Sequence, residues 1–264
     1  MQSTTFEDET ELTYERHGTG QPILMLHGGM APREYWAPVI PHFEEYAPVI
    51  PQRPGFGTCL DDLTETTADE VLDREVAYVR RLADTVDGDP IVLGHSFGAL
   101  TAVEAARDAA VEAAIAYEPA VLPEAFRTEA DLSERMARLL DDGEPEAAVK
   151  LYIEQVLHPD GVDDLDAWLA DWPVWPRCVE LADEVVRMNR AVEQYQLPPT
   201  LDVEVPVLVL SGTEGPDFLR ESARAVHDAL SQSRLVEFDS VSHSGPAEAP
   251  ELVSAAVDTF INTI

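Results

Sequence analysis

The chain has 264 residues, of which 45% are hydrophobic, so it is long enough and apolar enough to bury a substantial core. Its 51 acidic residues outnumber 17 basic ones and give a formal net charge of -34. A field of that sign repels nucleic acids and anionic membranes, which excludes both as expected partners. The acidic start does not fit a signal peptide, and the apolar runs are too short to cross a bilayer. We therefore expect a cytoplasmic protein that acts on a small-molecule substrate.

The acidic residues are scattered through every segment, and the only lysine is Lys150. Acidic tails form continuous blocks of like charge, so this distribution indicates a property of the whole surface. Self-repulsion on this scale destabilises the compact state at low salt and is relieved by screening. The composition resembles that of cytoplasmic proteins from salt-accumulating halophiles, haloarchaea above all.

Strands and helices alternate along most of the chain. The pattern predicts strands at 3–6, 11–16, 23–26, 47–50, 91–93, 111–117, 205–210 and 234–238. It predicts helices at 67–86, 99–110, 218–230 and 250–261. Several of the strands are short, continuous apolar runs, which is typical of strands buried on both faces. This alternation predicts an α/β fold with a mostly parallel, doubly wound sheet.

Residues 119–199 break the alternation. Their pattern is mainly helical and contains Trp168, Trp172 and Trp175. An insertion between two strands has its natural place above the carboxyl edge of the sheet. We therefore predict a core formed by 1–118 and 200–264 and a helical cap formed by 119–199. The tryptophans either pack within the cap or line an apolar pocket.

Two cysteines, Cys59 and Cys178, lie far apart in the chain. They form neither a Cys-x-x-Cys pair nor a Cys/His spacing typical of metal ligands. We therefore expect no disulfide framework and no metal, and no motif in the sequence implies a cofactor.

The strongest chemical signal is Gly-His-Ser-Phe-Gly at 94–98, directly after the strand at 91–93 and before a helix. Gly-x-Ser-x-Gly in that setting is a nucleophile elbow, in which a strained turn presents the serine above the sheet. The pattern predicts Ser96 as the nucleophile. It also predicts that the backbone N–H of Phe97 forms part of an oxyanion hole.

Two further turns supply candidates for the remaining machinery. His27-Gly28-Gly29 ends the strand at 23–26, and the backbone N–H of Gly29 is the candidate for the second oxyanion donor. We expect His27 to brace that loop rather than to transfer protons. His243 follows the last predicted strand in a polar turn, and a serine hydroxyl needs such a base near neutral pH.

These motifs, in this order and at these separations, resemble the α/β-hydrolase superfamily across the whole chain outside 119–199. The turn at 51–57 is similar to the Asp-x-x-Gly-x-Gly turn of that family, with Gln52 in place of the acidic residue, and we expect it to be structural. The resemblance implies the α/β-hydrolase fold with a helical cap.

A serine and a histidine of this kind form a catalytic triad with an acidic residue that orients the histidine. The position of that acidic residue departs from the family pattern here. Members carry an aspartate three residues after the glycine that ends the strand at 205–210; here that glycine is Gly212 and the position holds Gly215. Another branch places the acid at the end of the preceding strand, where this chain has Glu118. We predict Glu118, with Glu214 and Asp217 as alternatives, and the absence of any functional acid stays open.

A serine nucleophile with two backbone donors suits acyl transfer through an acyl-enzyme, so hydrolysis of a carboxylic ester is the leading hypothesis. Serine-bearing relatives also include lactonases, C–C bond hydrolases, perhydrolases and aminopeptidases. The aminopeptidase signature His-Gly-Gly-Pro-Gly is not matched, because Met30 and Ala31 follow Gly29. A non-catalytic member that binds a small ligand is the alternative from another class.

Overall fold

The computed structural model describes residues 2–5, 11–53, 67–108, 110–158, 161–170, 172 and 174–264. Within these described residues, eight strands form one sheet: β1 (Gln2–Thr5), β2 (Glu11–Arg16), β3 (Gln21–Leu26), β4 (Tyr46–Pro51), β5 (Ile91–His95), β6 (Ala113–Tyr117), β7 (Val207–Gly212) and β8 (Ser233–Phe238). Their order across the sheet is β1-β2-β4-β3-β5-β6-β7-β8. Strands β1 and β2 are antiparallel to their neighbours, and every pair from β4 to β8 is parallel. The predicted α/β class with a mostly parallel sheet is confirmed.

The central strands are apolar along their whole length because helices cover both sides of the sheet. Alternate residues of a strand face opposite sides, so Val92 packs in one apolar cluster while Ile91 and Leu93 pack in another. Full burial of such a side chain contributes roughly 1.5–3 kcal/mol to folding. The sheet therefore has two apolar faces, and its carboxyl edge is left to the loops.

Ten α-helices are present among the described residues: α1 (Ala68–Thr85), α2 (Phe97–Ala105), α3 (Leu132–Asp141), α4 (Pro145–Tyr152), α5 (Leu165–Ala170), α6 (Trp175–Glu180), α7 (Ala182–Gln194), α8 (Asp217–Ala229), α9 (Gly245–Glu248) and α10 (Pro250–Ile261). Helix α1 begins with a capping box: the Thr67 side chain accepts from the backbone N–H of Glu70, and Glu70 accepts in return from the N–H of Thr67. Helices α1, α2 and α8 cover one face of the sheet and α10 the other.

The helix predicted at 99–110 is wrong at both ends. Helix α2 begins at Phe97, directly after the elbow serine, and ends at Ala105. The alanine run continues past that point, but Ala113 already pairs with Ile91 in the sheet. The chain after Ala105 therefore leads into β6 instead of continuing the helix.

In the described parts of 119–199, the regular elements are helices α3 to α7, a 3₁₀ segment at Glu124–Glu129 and a π turn at Ile153–Leu157. They pack around their own apolar cluster, which includes Met136, Val149, Ile153 and Val185. Trp168, Trp172 and Trp175 pack against this cluster, half-buried. The division of the chain into a core and a cap stays a prediction.

Part of the predicted turn at 51–57 and Cys59 lie outside the described residues. Cys178 is a free, buried thiol whose pKa burial raises to about 12. Among the described helices, none has both the length and the apolar content that a bilayer span requires.

Candidate active site

Ser96 lies on a strained turn between β5 and α2, with φ 57° and ψ -119°. Close backbone packing makes this turn possible. A Cβ atom on Gly94 would collide with the carbonyl oxygen of Gly98, and one on Gly98 would collide with that of Leu26. The N–H of Ser96 donates to the carbonyl oxygen of Tyr117 at 2.9 Å. Both flanking glycines are thus required sterically, and Ser96 is fixed at the carboxyl edge of the sheet.

Ser96, Gly29 and Phe97 line one cavity of about 260 Å³. Phe97 is the first residue of α2, where a backbone N–H has no acceptor within the helix. Gly29 follows β3, the neighbour of β5 in the sheet. The structure therefore brings both predicted oxyanion residues to the same cavity as the predicted nucleophile.

His243 lies buried in the loop between β8 and α9, with its ring centroid 4.5 Å from that of His95, the residue before Ser96. Its Nδ1 is 2.6 Å from Oε2 of Glu118. A carboxylate accepts hydrogen bonds, so this contact assigns the proton to Nδ1 and leaves Nε2 as the basic nitrogen.

Glu118 is fully buried at the end of β6 and has a positive φ of 44°. Its backbone N–H donates to the carbonyl oxygen of Leu210 of β7 at 2.8 Å, which ties this residue to the neighbouring strand. Its Oε1 accepts from the hydroxyl of Ser211 at 3.0 Å and from the N–H of Gly212 at 2.9 Å. With the contact to His243, three donors compensate the buried carboxylate.

The alternative acids lie elsewhere. Glu214 is exposed, and its backbone N–H is bonded to Val241. Asp217 is also exposed and pairs with Arg220 at 3.0 Å at the start of α8. Of the three predicted candidates, only Glu118 has a hydrogen bond to His243 in the part of the chain that is described. Its catalytic role stays a prediction.

The glycine at the usual position of the acid is explained by packing. A Cβ atom on Gly215 would lie 2.6 Å from Oε1 of Glu118. The space next to Gly215 is therefore filled by the carboxylate that β6 supplies, and a side chain at 215 would displace it.

The cavity is mostly apolar. Its described lining is Gly29, Ser96, Phe97, Ala120, Leu122, Phe126, Ala130, Leu132, Tyr152, Gln155, Val156, Met188, Asn189, Val192, Glu193, Phe218 and Leu219. Glu193 is its one charged side chain within that described set, and it accepts from the N–H of Ser133 and the amide of Asn189, each at 2.9 Å. Burial raises the pKa of Tyr152 to about 12, so its hydroxyl stays protonated. Within this described lining there is no tryptophan.

Arg53, a residue that was not predicted to belong to the site, has a buried side chain that supports the loop carrying Gly29. Its Nη1 donates to the carbonyl oxygen of His27, and its Nε donates to Glu75 at 2.8 Å. Burial raises the pKa of Glu75, against the opposing effect of Arg53 and Arg74. Arg53 stands in the turn that resembles a family motif, which is the signal that could have identified it.

His27 itself is fully buried, with Nδ1 2.9 Å from the carbonyl oxygen of Gly28. Burial, followed by the charge of Arg53, lowers its pKa well below the usual value, so the ring is neutral. Both features suit a residue that braces the loop.

Comparison with known proteins agrees with this fold. Residues 23–256 match the model of the Alpha/beta hydrolase family. The (E)-2-((N-methylformamido)methylene)succinate hydrolase of Acinetobacter baylyi is 25% identical, over 95% of this chain and 94% of its own. An alpha/beta hydrolase from Sphaerobacter thermophilus superposes with a TM-score of 0.82 at 21% identity, covering 98% of this chain and 100% of the other. A thermophilic esterase from Thermogutta terrifontis gives a TM-score of 0.74 at 20% identity, covering 99% and 96%.

Proposed function

Because the chain belongs to the alpha/beta hydrolase family, we propose that it is a serine hydrolase that cleaves a carboxylic ester or a related acyl substrate. The observation that carries this proposal is the buried contact of 2.6 Å between Glu118 and His243. The ring of His243 contacts that of His95, the residue before a strained serine whose cavity also contains Gly29 and Phe97. Nucleophile, base, acid and oxyanion donors therefore have candidates at one edge of the sheet.

In the proposed mechanism, Oγ of Ser96 attacks the substrate carbonyl carbon while Nε2 of His243 accepts the hydroxyl proton. Glu118 stabilises the imidazolium that forms. The N–H groups of Gly29 and Phe97 donate to the tetrahedral oxyanion. Collapse of this intermediate breaks the ester bond, and the leaving alcohol takes the proton from His243. Water then attacks the acyl group on Ser96, again with His243 as the base; the bond from the acyl group to Oγ breaks, Oγ takes the proton back from His243, and the free acid leaves.

The cavity favours a neutral, apolar acyl group. Phe126 and Phe218 contribute aromatic rings 6.2 Å apart, and Met188 and Val192 add aliphatic surface. The charged lining residue, Glu193, would repel a carboxylate group on the ester substrate. We therefore propose esters of short to medium aliphatic or simple aryl acids.

A fluorophosphonate probe tests the proposal, because it labels only an activated serine. Wild-type protein in molar KCl should be labelled, and Ser96→Ala should not. Ser254→Ala is a matched control, since this buried serine on α10 only donates to a backbone carbonyl. Absence of labelling in folded wild-type protein would favour a non-catalytic ligand-binding member of the family.

The same machinery would also serve C–C bond cleavage or perhydrolysis. Product analysis separates these reactions from ester hydrolysis. Assays of acyl esters, of a vinylogous diketone and of an ester with added peroxide, each with Ser96→Ala as the control, would show which bond is broken.

We also propose that the protein is adapted to high salt. With a net charge of -34, repulsion between surface carboxylates strongly destabilises the folded state at low ionic strength. Its melting temperature should therefore rise steeply as KCl is raised from 0.1 M into the molar range. A melting temperature independent of KCl would contradict this.

A further inference from the structure

The loop that carries His243 is bonded by the residues that precede the nucleophile and the acid. His95 precedes Ser96, and Tyr117 precedes Glu118. These two residues are direct partners at the ends of the neighbouring strands β5 and β6. Nε2 of His95 lies 2.8 Å from the carbonyl oxygen of His243, and the hydroxyl of Tyr117 donates to the carbonyl oxygen of Ser242 at 2.7 Å. Side chains at the ends of two sheet strands thus hold two consecutive carbonyl groups of the loop by hydrogen bonds.

His95 is fixed as a neutral donor. A carbonyl oxygen only accepts, so the proton lies on Nε2. Burial lowers the pKa of His95 well below its usual value, and the nearby His243 lowers it further. Its ring stacks on Tyr35 at 4.8 Å, and a Cβ atom on Gly28 would lie only 3.1 Å from Nδ1. Close packing therefore holds the imidazole in place.

Tyr117 is held with equal closeness. A Cβ atom on Gly245 would collide with its hydroxyl, so the glycine at the start of α9 makes room for the hydrogen bond. Its ring stacks on Phe238, with centroids 6.5 Å apart. Burial raises the pKa of Tyr117, and the charge of Glu118 raises it further, so the phenol remains a donor.

We propose that His95 and Tyr117 are positioning residues, which hold the loop backbone so that the His243 imidazole stays aligned between Ser96 and Glu118. The inference rests on the proposed function, because it takes His243 as the base. The hydrogen bond to Glu118 fixes one edge of the imidazole, and the contacts of His95 and Tyr117 hold two carbonyl groups of the loop backbone. These two contacts limit displacement of the imidazole, and a displacement of about 1 Å in such a group costs roughly 100-fold in rate.

The test measures kcat, KM and the rate of fluorophosphonate labelling in molar KCl, with p-nitrophenyl butyrate as the ester. His95→Phe keeps a flat ring but removes the donor, and kcat should fall roughly 10- to 100-fold with KM little changed. Tyr117→Phe removes only the hydroxyl and should lower kcat by about 10-fold. Each labelling rate should fall in parallel with kcat.

Matched controls come from the same residue types away from the cavity. His227 on α8 contacts Ser233 at 2.7 Å, and the hydroxyl of Tyr195 donates to Glu104 at 2.6 Å. His227→Phe and Tyr195→Phe should keep wild-type kcat, even where they lower the melting temperature.

His95→Gln supplies the conservative variant, because its amide N–H can reach the position of Nε2. It should recover most of the activity lost in His95→Phe. If folded His95→Phe and Tyr117→Phe both keep wild-type kcat, the positioning role is wrong while the serine hydrolase proposal stands. The role is also wrong if His95→Gln is as slow as His95→Phe, since the loss would then reflect packing. If wild-type protein is not labelled at Ser96, both proposals fail.

Discussion

Strands β6 and β7 lie side by side and end at the same edge of the sheet, but they serve the site in opposite ways. Strand β6 ends in Glu118, a buried carboxylate bonded to His243. Strand β7 ends in Ser211 and Gly212, which both donate hydrogen bonds to that carboxylate. One strand end provides the negative charge, and the other provides the donors that hold it.

The difference predicts that a carboxylate can reach the same point in space from either strand. In the family pattern the acid stands at position 215 after β7; here that residue is Gly215, and the Glu118 carboxylate lies against it. The absence of a side chain at one strand end is thus matched by a long side chain at the other. Three changes test this difference between the strands: moving the carboxylate from β6 to the residues after β7, removing a hydrogen-bond donor to it, and relieving backbone strain at a strand end.

The largest effect is expected for Glu118→Gln. The amide keeps the shape of the side chain but loses the charge that stabilises the imidazolium, so kcat should fall by about 10⁴-fold. Glu214→Gln and Asp217→Asn, which change exposed carboxylates after β7, should keep wild-type kcat. Steady-state kinetics on a chromogenic ester measures all three. A large loss in Glu214→Gln alone would place the acid after β7 instead.

Moving the acid should restore part of this loss. Glu118→Gly empties the space beside position 215 and suits the positive φ at 118. Adding Gly215→Asp returns a carboxylate to that space, and kcat should rise roughly 10- to 100-fold above that of Glu118→Gly alone. The matched control is Glu118→Gly with Gly215→Asn, which has the same size and no charge. Equal rates for the Asp and Asn variants would show that only one strand end can supply the acid.

The sheet and the elbow could be predicted from sequence because their signals are local. The apolar run before Ser96 and the glycines at 94 and 98 are visible within a few residues of each other. The bounds of α2 could not be predicted, since its first residue directly follows the strained turn at Ser96 and the alanine composition does not mark where the helix ends.

From the sequence, the acid that contacts His243 could be limited only to three candidates, Glu118, Glu214 and Asp217. Its identity depends on contacts between residues that are distant in sequence. The bonds from Ser211 and Gly212 to Glu118 join residues 93 and 94 positions apart. His95 and Tyr117 bond to backbone carbonyls 148 and 125 positions away, and a carbonyl leaves no signature in the residue type. Their proximity to the base loop becomes visible only in the folded structure.

A smaller effect is expected for Ser211→Ala, which removes one of the two donors from β7. A hydrogen bond to a charged group contributes about 1.5 kcal/mol or more, so kcat should fall by roughly 10-fold. Ser254→Ala removes a buried hydroxyl that bonds to a backbone carbonyl on α10 and should not change kcat. If both variants keep wild-type kcat, the N–H of Gly212 holds the carboxylate without help.

The smallest expected effect is a change in the free energy of unfolding, which should differ in sign between a strained strand end and an unstrained one. Ser96 after β5 and Glu118 after β6 both have positive φ, whereas Ser211 at the end of β7 does not. Glycine tolerates positive φ, so Ser96→Gly should raise the free energy of unfolding by about 1 kcal/mol while abolishing activity. Ser211→Gly should lower it by at least a similar amount, because glycine weakens an ordinary strand position and the hydrogen bond to Glu118 is lost.

Urea unfolding in molar KCl, with the slope of each transition compared, measures both changes. A gain for Ser96→Gly together with a loss for Ser211→Gly would mean that the turn after β5, which carries the proposed nucleophile, is strained and that the end of β7 is not. Such strain persists only where the surrounding fold determines the conformation, as the glycines beside Ser96 and the donors around Glu118 do here. If Ser96→Gly is no more stable than wild type, the turn at Ser96 is not strained. The strand ends would then differ only in which of them carries the carboxylate and which carries its hydrogen-bond donors.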